Sequence, residues 1–214
     1  FAFNQALDGI IFRPIAKIYR VLPSPVRSGV NNSLDNLSNL VTIPNNILQG
    51  EFKQAGVNTG RLLLNSTVGI LGIVDVAEQI GFPEYEKEDF GQSFAKHGMG
   101  PGCYLVLPVL GPSTARDTIS STLNFVGGDA WYNLTVRNDT QYFSDIDYYT
   151  SKVTEGVNFR AKNFDDIESL KENSLDFYAS VKSLYLQDRQ QKILNTKKII
   201  ETQNDSDWEE IDSQ

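Results

Sequence analysis

Residues 98–115 read GMGPGCYLVLPVLGPSTA, eighteen positions without a charged side chain. That length approaches the roughly 20 apolar residues a membrane-spanning helix requires. The run cannot be such a helix. Pro101, Pro108 and Pro112 each remove a backbone donor, and Gly98, Gly100, Gly102 and Gly111 favour bends, so the hydrogen-bond ladder is interrupted too often. Irregular apolar backbone is tolerated in lipid only where folded neighbours cover it or where it lines a wet cavity. The segment therefore reads as a hairpin tucked against other helices.

The flanking sequence supplies those helices in short pieces. Residues 62–74, LLLNSTVGILGIV, are thirteen positions without charge between Arg61 and Asp75, and residues 36–50, NLSNLVTIPNNILQG, are fifteen more. About ten helical residues cover about 15 Å, roughly one leaflet of a 30 Å hydrocarbon core. Phe3, Leu7, Ile10, Ile11, Ile18 and Leu22 mark a first helix that Pro14 kinks or divides. Ser24 and Pro25 open a second over 25–38, and residues 51–67 form a third. Tyr142, Ile146, Tyr149, Val153 and Val157 make a further stripe, as do Leu175, Tyr178, Val181, Leu184 and Tyr185 after a Ser174 cap. No stretch alternates as a strand should, so the fold class is mainly α. Periodicity alone also allows a soluble bundle with an uncharged core, although such a bundle needs charged outer faces that residues 31–80 largely lack. Phe125, Trp131, Tyr132, Tyr142, Phe143, Tyr148 and Tyr149 follow the uncharged middle and suit either an interfacial belt or a core.

Charge divides the chain of 214 residues. Residues 1–138 hold 10 basic and 11 acidic side chains, whereas residues 139–214 hold 9 and 16. The first thirty residues are mildly basic, with Arg13, Lys17, Arg20 and Arg27 against Asp8. A net charge of −8 argues against broad nucleic-acid binding. We read residues 1–194 as one helical domain and residues 195–214, with their acidic close, as a flexible tail too polar to repay ordering.

Chemistry is thin. One cysteine, Cys103, and one histidine, His97, leave no disulfide, no Cys-rich zinc site and only one possible base for a triad. Ser113 lacks the G-x-S-x-G context of a hydrolase nucleophile, and Ser113 or Thr114 reads as a helix N-cap with Arg116 and Asp117 in the first turn. Glu84, Glu86, Glu88 and Asp89 lack the spacing of a calcium loop and read as solvated. The G-x-G-x-G at 98–102 has no strand before it and no helix directly after it, which excludes a dinucleotide site. No catalytic, metal or cofactor site is expected.

Four blocks in order carry a resemblance: RPIAKIYRVLPSPVRSGVNN at 13–32, NNILQGEFKQA at 45–55, RLLLNSTVGILGIVDVA at 61–77 and DFGQSFAKHGMGPGCYLVLPVLGPSTARD at 89–117. Together they resemble the MlaA/VacJ family of Gram-negative outer-membrane lipoproteins, over about residues 3–195. The resemblance implies a ring of short helices in the periplasmic leaflet of the outer membrane around an amphipathic channel. It implies a lipid anchor on an N-terminal cysteine outside this sequence, a role that Cys103 does not fill. The implied function is removal of phospholipids misplaced in the outer leaflet and their transfer to a periplasmic carrier protein, beside a trimeric porin and without covalent chemistry. On that view Gly98, Gly100, Gly102, Pro108 and Gly111 shape a hairpin at the channel. Tyr104, Leu105, Val106 and Leu107 meet lipid or surrounding helices, and Arg116 with Asp117 lends a polar lumen. Two other readings stay open from the residues: a membrane-associated lipid hydrolase using Ser113, and a soluble helical scaffold.

Overall fold

The computed structural model describes residues 1–127, 129–137 and 143–194. The chain divides into two units, Phe1–Asn173 and Ser174–Gln214. The expected tail at 195–214 lies outside the described residues, as do Tyr142 and the side chain of Phe125.

The first unit opens with α1 (Ala2–Leu7), a π-helical turn (Asp8–Phe12) and α2 (Arg13–Arg20). Pro14 does not end this helix. The wider turn just before it, closed by the Arg13 N–H on the Asp8 carbonyl, accommodates the ring that an α-turn would clash with. Next comes α3 (Ser24–Leu48), 25 residues long, which runs ten positions past the expected end at 38 and contains Pro44. Its most extensive partner is α4 (Phe52–Thr67). Short helices α5 (Val76–Gln79) and α6 (Phe90–Lys96) follow, capped by the side chains of Asp75 and Asp89. The remaining helices of the unit are α7 (Ala115–Gly127), α8 (Ala130–Tyr132), α9 (Asp145–Lys162) and α10 (Phe164–Asn173), with a second π-helical turn at Asn133–Arg137. Ser144 and Asp147 form a capping box at the start of α9.

The mainly α expectation holds, with one correction. Residues 98–115 do contain strands: β1 (Tyr104–Leu107) pairs antiparallel with β2 (Gly111–Thr114) in the register Tyr104↔Thr114 to Leu107↔Gly111. YLVL and GPST show no alternation, because neither strand has one wet and one dry face.

Polarity runs the wrong way for a water-soluble bundle. Among the described residues eight apolar side chains are buried, against nineteen polar or charged ones, and the largest fully buried side chains are Gln92, Asn39, Asn45, Asn46 and Asn58. The buried residues of α3 are Gly29, Asn36, Asn39, Val41, Thr42, Asn45 and Asn46, and those of α4 are Ala55, Asn58, Arg61 and Asn65. The apolar stripes read from the sequence are real and face mostly outward, although Val157 on α9 is buried. Ile10 is 76% exposed, Ile18 72%, Ile146 75% and Val153 63%. A small apolar core survives where α2 packs on α9, with Ala16, Ala161 and Phe164 buried and the guanidinium groups of Arg20 and Arg160 over the Phe164 ring.

In the second unit α11 (Phe177–Leu194) is capped by Asp176, which accepts from the Ala179 N–H at 3.0 Å, and not by Ser174. Leu175, the first member of the expected stripe, precedes the helix and is fully exposed.

Candidate functional site

The hairpin hangs between α6 and α7 and is fixed by backbone at its base. The Ala115 N–H donates to the Cys103 carbonyl at 2.9 Å and the Arg116 N–H to the Pro101 carbonyl at 3.2 Å. This close approach requires glycine at 102, whose φ is +67° and where a Cβ would stand 2.8 Å from that of Ala115. Gly98 ends α6 at φ +88°, just after the capping residue His97, and Gly111 begins β2 at φ +83°. Gly100 carries no such constraint. Pro108, Val109 and Leu110 form the tip. Val109 holds φ +67°, a left-handed conformation costly for a β-branched residue, and is more than half exposed.

The tip is clasped from a place the sequence does not signal. Asn4 on α1 donates through Nδ2 to the Leu107 carbonyl at 2.8 Å, and its Oδ1 accepts from the Val109 N–H at 3.0 Å. One side chain thus bridges the first helix and the strained turn. Tyr104, Leu105, Val106 and Leu107 are half-buried, while Gly98, Gly100 and Gly102 are exposed.

From the hairpin the chain passes into a polar interior. Thr114 ends β2 and caps α7, its Oγ1 accepting from the Asp117 N–H at 3.2 Å. Arg116 and Asp117 are both buried and bond each other at 3.1 Å, and Arg116 also reaches the Met99 carbonyl. Ser113 is buried with its Oγ on Thr118, and His97 turns Nδ1 to the Ser93 carbonyl of its own helix, so the two do not meet as nucleophile and base.

The α3–α4–α6 layer joins Asn side chains end to end. Asn58 donates to Asn46 at 2.8 Å, Ser93 to Asn45 at 2.7 Å, and Asn36 to Ser66 at 2.9 Å. Arg61 and Asn65 grip the Asp75 carboxylate at 2.5 and 2.9 Å, which positions the α5 cap. Glu88, expected in solvent, is 3% exposed and accepts from Gln49 at 2.9 Å and from Gln92. Its burial corrects the solvated reading of the acidic run: the Thr42 Oγ1 takes the Glu88 N–H and draws this loop onto α3. No cluster of three or more metal-type ligands occurs among the described residues. Asn36 Oδ1, Asn39 Oδ1, Asn58 Oδ1 and Gln92 Oε1 find no partner within the protein. Buried acceptors of this kind cost about 1–3 kcal/mol each unless water or a polar ligand meets them.

No helix among the described residues is long and apolar enough to cross a membrane. Trp131 is buried under Tyr148 and Lys152, whereas Phe143 and Tyr149 are exposed, so the aromatic group divides between core and surface.

Residues 1–192 match the sequence pattern of the MlaA lipoprotein family. An uncharacterized protein of Rickettsia prowazekii is 32% identical over 189 residues, 86% of this chain and 70% of that one. A protein of Shigella flexneri named intermembrane phospholipid transport system lipoprotein MlaA is 32% identical over 192 residues, 87% of this chain and 71% of that one. A solved structure, described as the structural basis for maintenance of bacterial outer membrane lipid asymmetry, superposes with a TM-score of 0.71 at 27% identity and covers 90% of this chain and 96% of that one.

Proposed function

The chain belongs to the MlaA lipoprotein family, and on that premise we propose that it is a phospholipid-transport protein of the outer membrane, seated in the periplasmic leaflet. It removes phospholipids misplaced in the outer leaflet and passes them to a periplasmic carrier. The observation that carries this reading is the inverted polarity: a shell of Ile, Leu and Val over an interior of Asn, Gln, Arg and Ser. Burying each such aliphatic side chain is worth about 1.5–3 kcal/mol, which favours a hydrocarbon surround over water.

A phospholipid needs two solvents at once. Its tails favour hydrocarbon by about 0.8 kcal/mol for each CH₂, so lifting the whole molecule into water is prohibitive. The polar interior offers the headgroup a route past Arg116, Asp117 and the Asn layer while the tails stay near lipid. In this reading helices ring that route, the hairpin stands beside it, and Tyr104, Leu105, Val106 and Leu107 meet tails or neighbouring helices. Directionality comes from the affinity of the carrier, and docking on a trimeric porin holds the protein at its depth. An N-terminal lipid anchor adds to membrane attachment. The hydrolase reading is disfavoured by the separate engagements of Ser113 and His97.

The test is flotation of the 214-residue chain with liposomes, followed by photo-cross-linking from position 104 or 107. Labelled phospholipid is expected at Tyr104 and Leu107 and not at exposed Glu172. A chain that stays monodisperse in detergent-free buffer and leaves liposomes unbound refutes the reading.

A further inference from the structure

Between α2, the start of α3 and α9 lies an open cleft of about 370 Å³ that shares no lining residue with the hairpin. Its walls include three cations, Arg20, Arg27 and Lys162, and no carboxylate. Most of the rest is hydrogen-bonding, with Ser24, Ser28, Asn31, Asn32 and Asn158.

The cations differ in what already holds them. Arg20 is engaged by Asp165 through two hydrogen bonds of 2.9 and 2.7 Å. Arg27 donates through Nε to the Leu22 carbonyl at 3.1 Å, and among the described residues neither it nor Lys162 forms a salt bridge, although Lys162 acts at longer range on the half-buried Asp35. Elsewhere Arg13, Arg61, Arg116 and Arg160 each meet a carboxylate within 3.1 Å. Arg27 and Lys162 thus leave this cleft with two wall cations that no described carboxylate bonds directly. Beneath them the amides are oriented by a relay: Tyr19 donates to Asn158 at 3.3 Å, Asn158 to Asn31 at 2.9 Å, and Asn31 to Asp35 at 2.7 Å. Ser24, the first residue of the 25-residue helix α3, also lines the cleft and brings the electropositive end of that helix to it.

Several donors converging with net positive charge in a space of this size suit a phosphate-bearing group. The surroundings suit an amphiphile. Ile18 on α2, Val21 and Leu22 in the turn after it and Val26 on α3 are sequence neighbours of the lining residues Tyr19, Arg20 and Arg27, and they offer apolar surface, being 72%, 83%, 41% and 48% exposed. We propose that this cleft binds the phosphate of a glycerophospholipid headgroup, with the acyl chains on that apolar rim. The proposal rests on the transport reading and adds to it a second headgroup station away from the hairpin.

The experiment uses the full chain in nonionic detergent, titrated with dihexanoyl phosphatidylglycerol, glycerol 3-phosphate and dihexanoylglycerol. Binding is followed by calorimetry and by the NMR signals of the Asn31 and Asn158 side-chain amides. The phospholipid should shift those signals and bind more weakly as salt rises. Arg27→Gln with Lys162→Gln should weaken it by about tenfold or more, as loss of charge-assisted bonds gives. Ser28→Glu, at an exposed lining position, should abolish it. Unchanged affinity in both variants overturns the proposal, as does equal binding of dihexanoylglycerol. Glycerol 3-phosphate binding as tightly as the phospholipid overturns the lipid source and assigns the cleft to a soluble phosphate ester. Cross-linking at Leu107 that persists without cleft binding refutes the cleft alone; cleft binding without cross-linking at Leu107 refutes the transport reading instead.

Discussion

Replacing Asn4 by Ala should loosen the hairpin tip and leave its base intact. The Asn4 side chain supplies two hydrogen bonds to the turn, at 2.8 and 3.0 Å, each contributing about 0.5–1.5 kcal/mol net. Their loss amounts to about 1–3 kcal/mol, a roughly 5- to 150-fold rise in the equilibrium for local opening. Val109 makes the turn still more sensitive, because holding its left-handed φ of +67° costs about 1–2 kcal/mol that the clasp offsets. Amide hydrogen exchange, measured residue by residue in micelles, reads this directly. The Val109 amide should exchange faster by that factor, while Ala115 and Arg116, bonded to Cys103 and Pro101, keep wild-type rates. If Val109 exchanges at the same rate in both proteins, the clasp does not hold the turn. If Ala115 accelerates equally, Asn4 stabilises the whole unit and not the tip.

Gly98, Gly100 and Gly102, three of the four hairpin glycines, should respond to alanine in a graded way, read from denaturation midpoints. Gly100→Ala should be silent, Gly98→Ala should cost about 1 kcal/mol from its positive φ alone, and Gly102→Ala about 2 kcal/mol or more because Ala115 also blocks the Cβ. Equal effects at all three would contradict the geometry. Acid should weaken the first unit through Asp8 and Glu168. Burial raises both carboxyls, but Arg160 and Lys171 on Asp8, and Arg160 and Arg13 on Glu168, outweigh it and leave both below their ordinary values. Depressed folded values mean that this stabilisation is complete above the unfolded carboxylate range of about 4 and is lost as pH falls through the folded values. Melting temperature followed from pH 7 downward should therefore fall in acid, and Asp8→Asn should start lower and fall less; an unaltered slope would show that the cluster is energetically idle.

Much of this was legible in the chain, and the failures share a cause. Helix positions followed from spacing, and the Gly- and Pro-punctuated hairpin at 98–112 stands where its composition puts it. The inward face was harder to read. Ile10, Ile18, Ile146 and Val153 repeat in a pattern that suits either a core or a lipid-facing surface, and they lie outside; periodicity reports that a helix is two-sided without saying which solvent each side meets. The corrective signal was present in the spacing of Asn36, Asn39 and Asn46 on α3 and of Asn58, Arg61 and Asn65 on α4, polar residues at core period. Asn4 gave no local signal, since its partners lie 103 and 105 positions away. Glu88 likewise looked solvated until Thr42, from a distant helix, closed on its backbone.

The outward placement of aliphatic side chains, from Ile10 to Leu134, also shapes how such a molecule responds to heat. The heat capacity of unfolding comes mainly from apolar groups newly meeting water, and falls as polar groups are released. Here the groups released are Asn, Gln, Ser and Arg, while most of the large aliphatics were never enclosed by the chain itself. A shallow stability curve is therefore expected, with weak curvature and cold unfolding far removed, which calorimetry would read as a low heat-capacity change per residue.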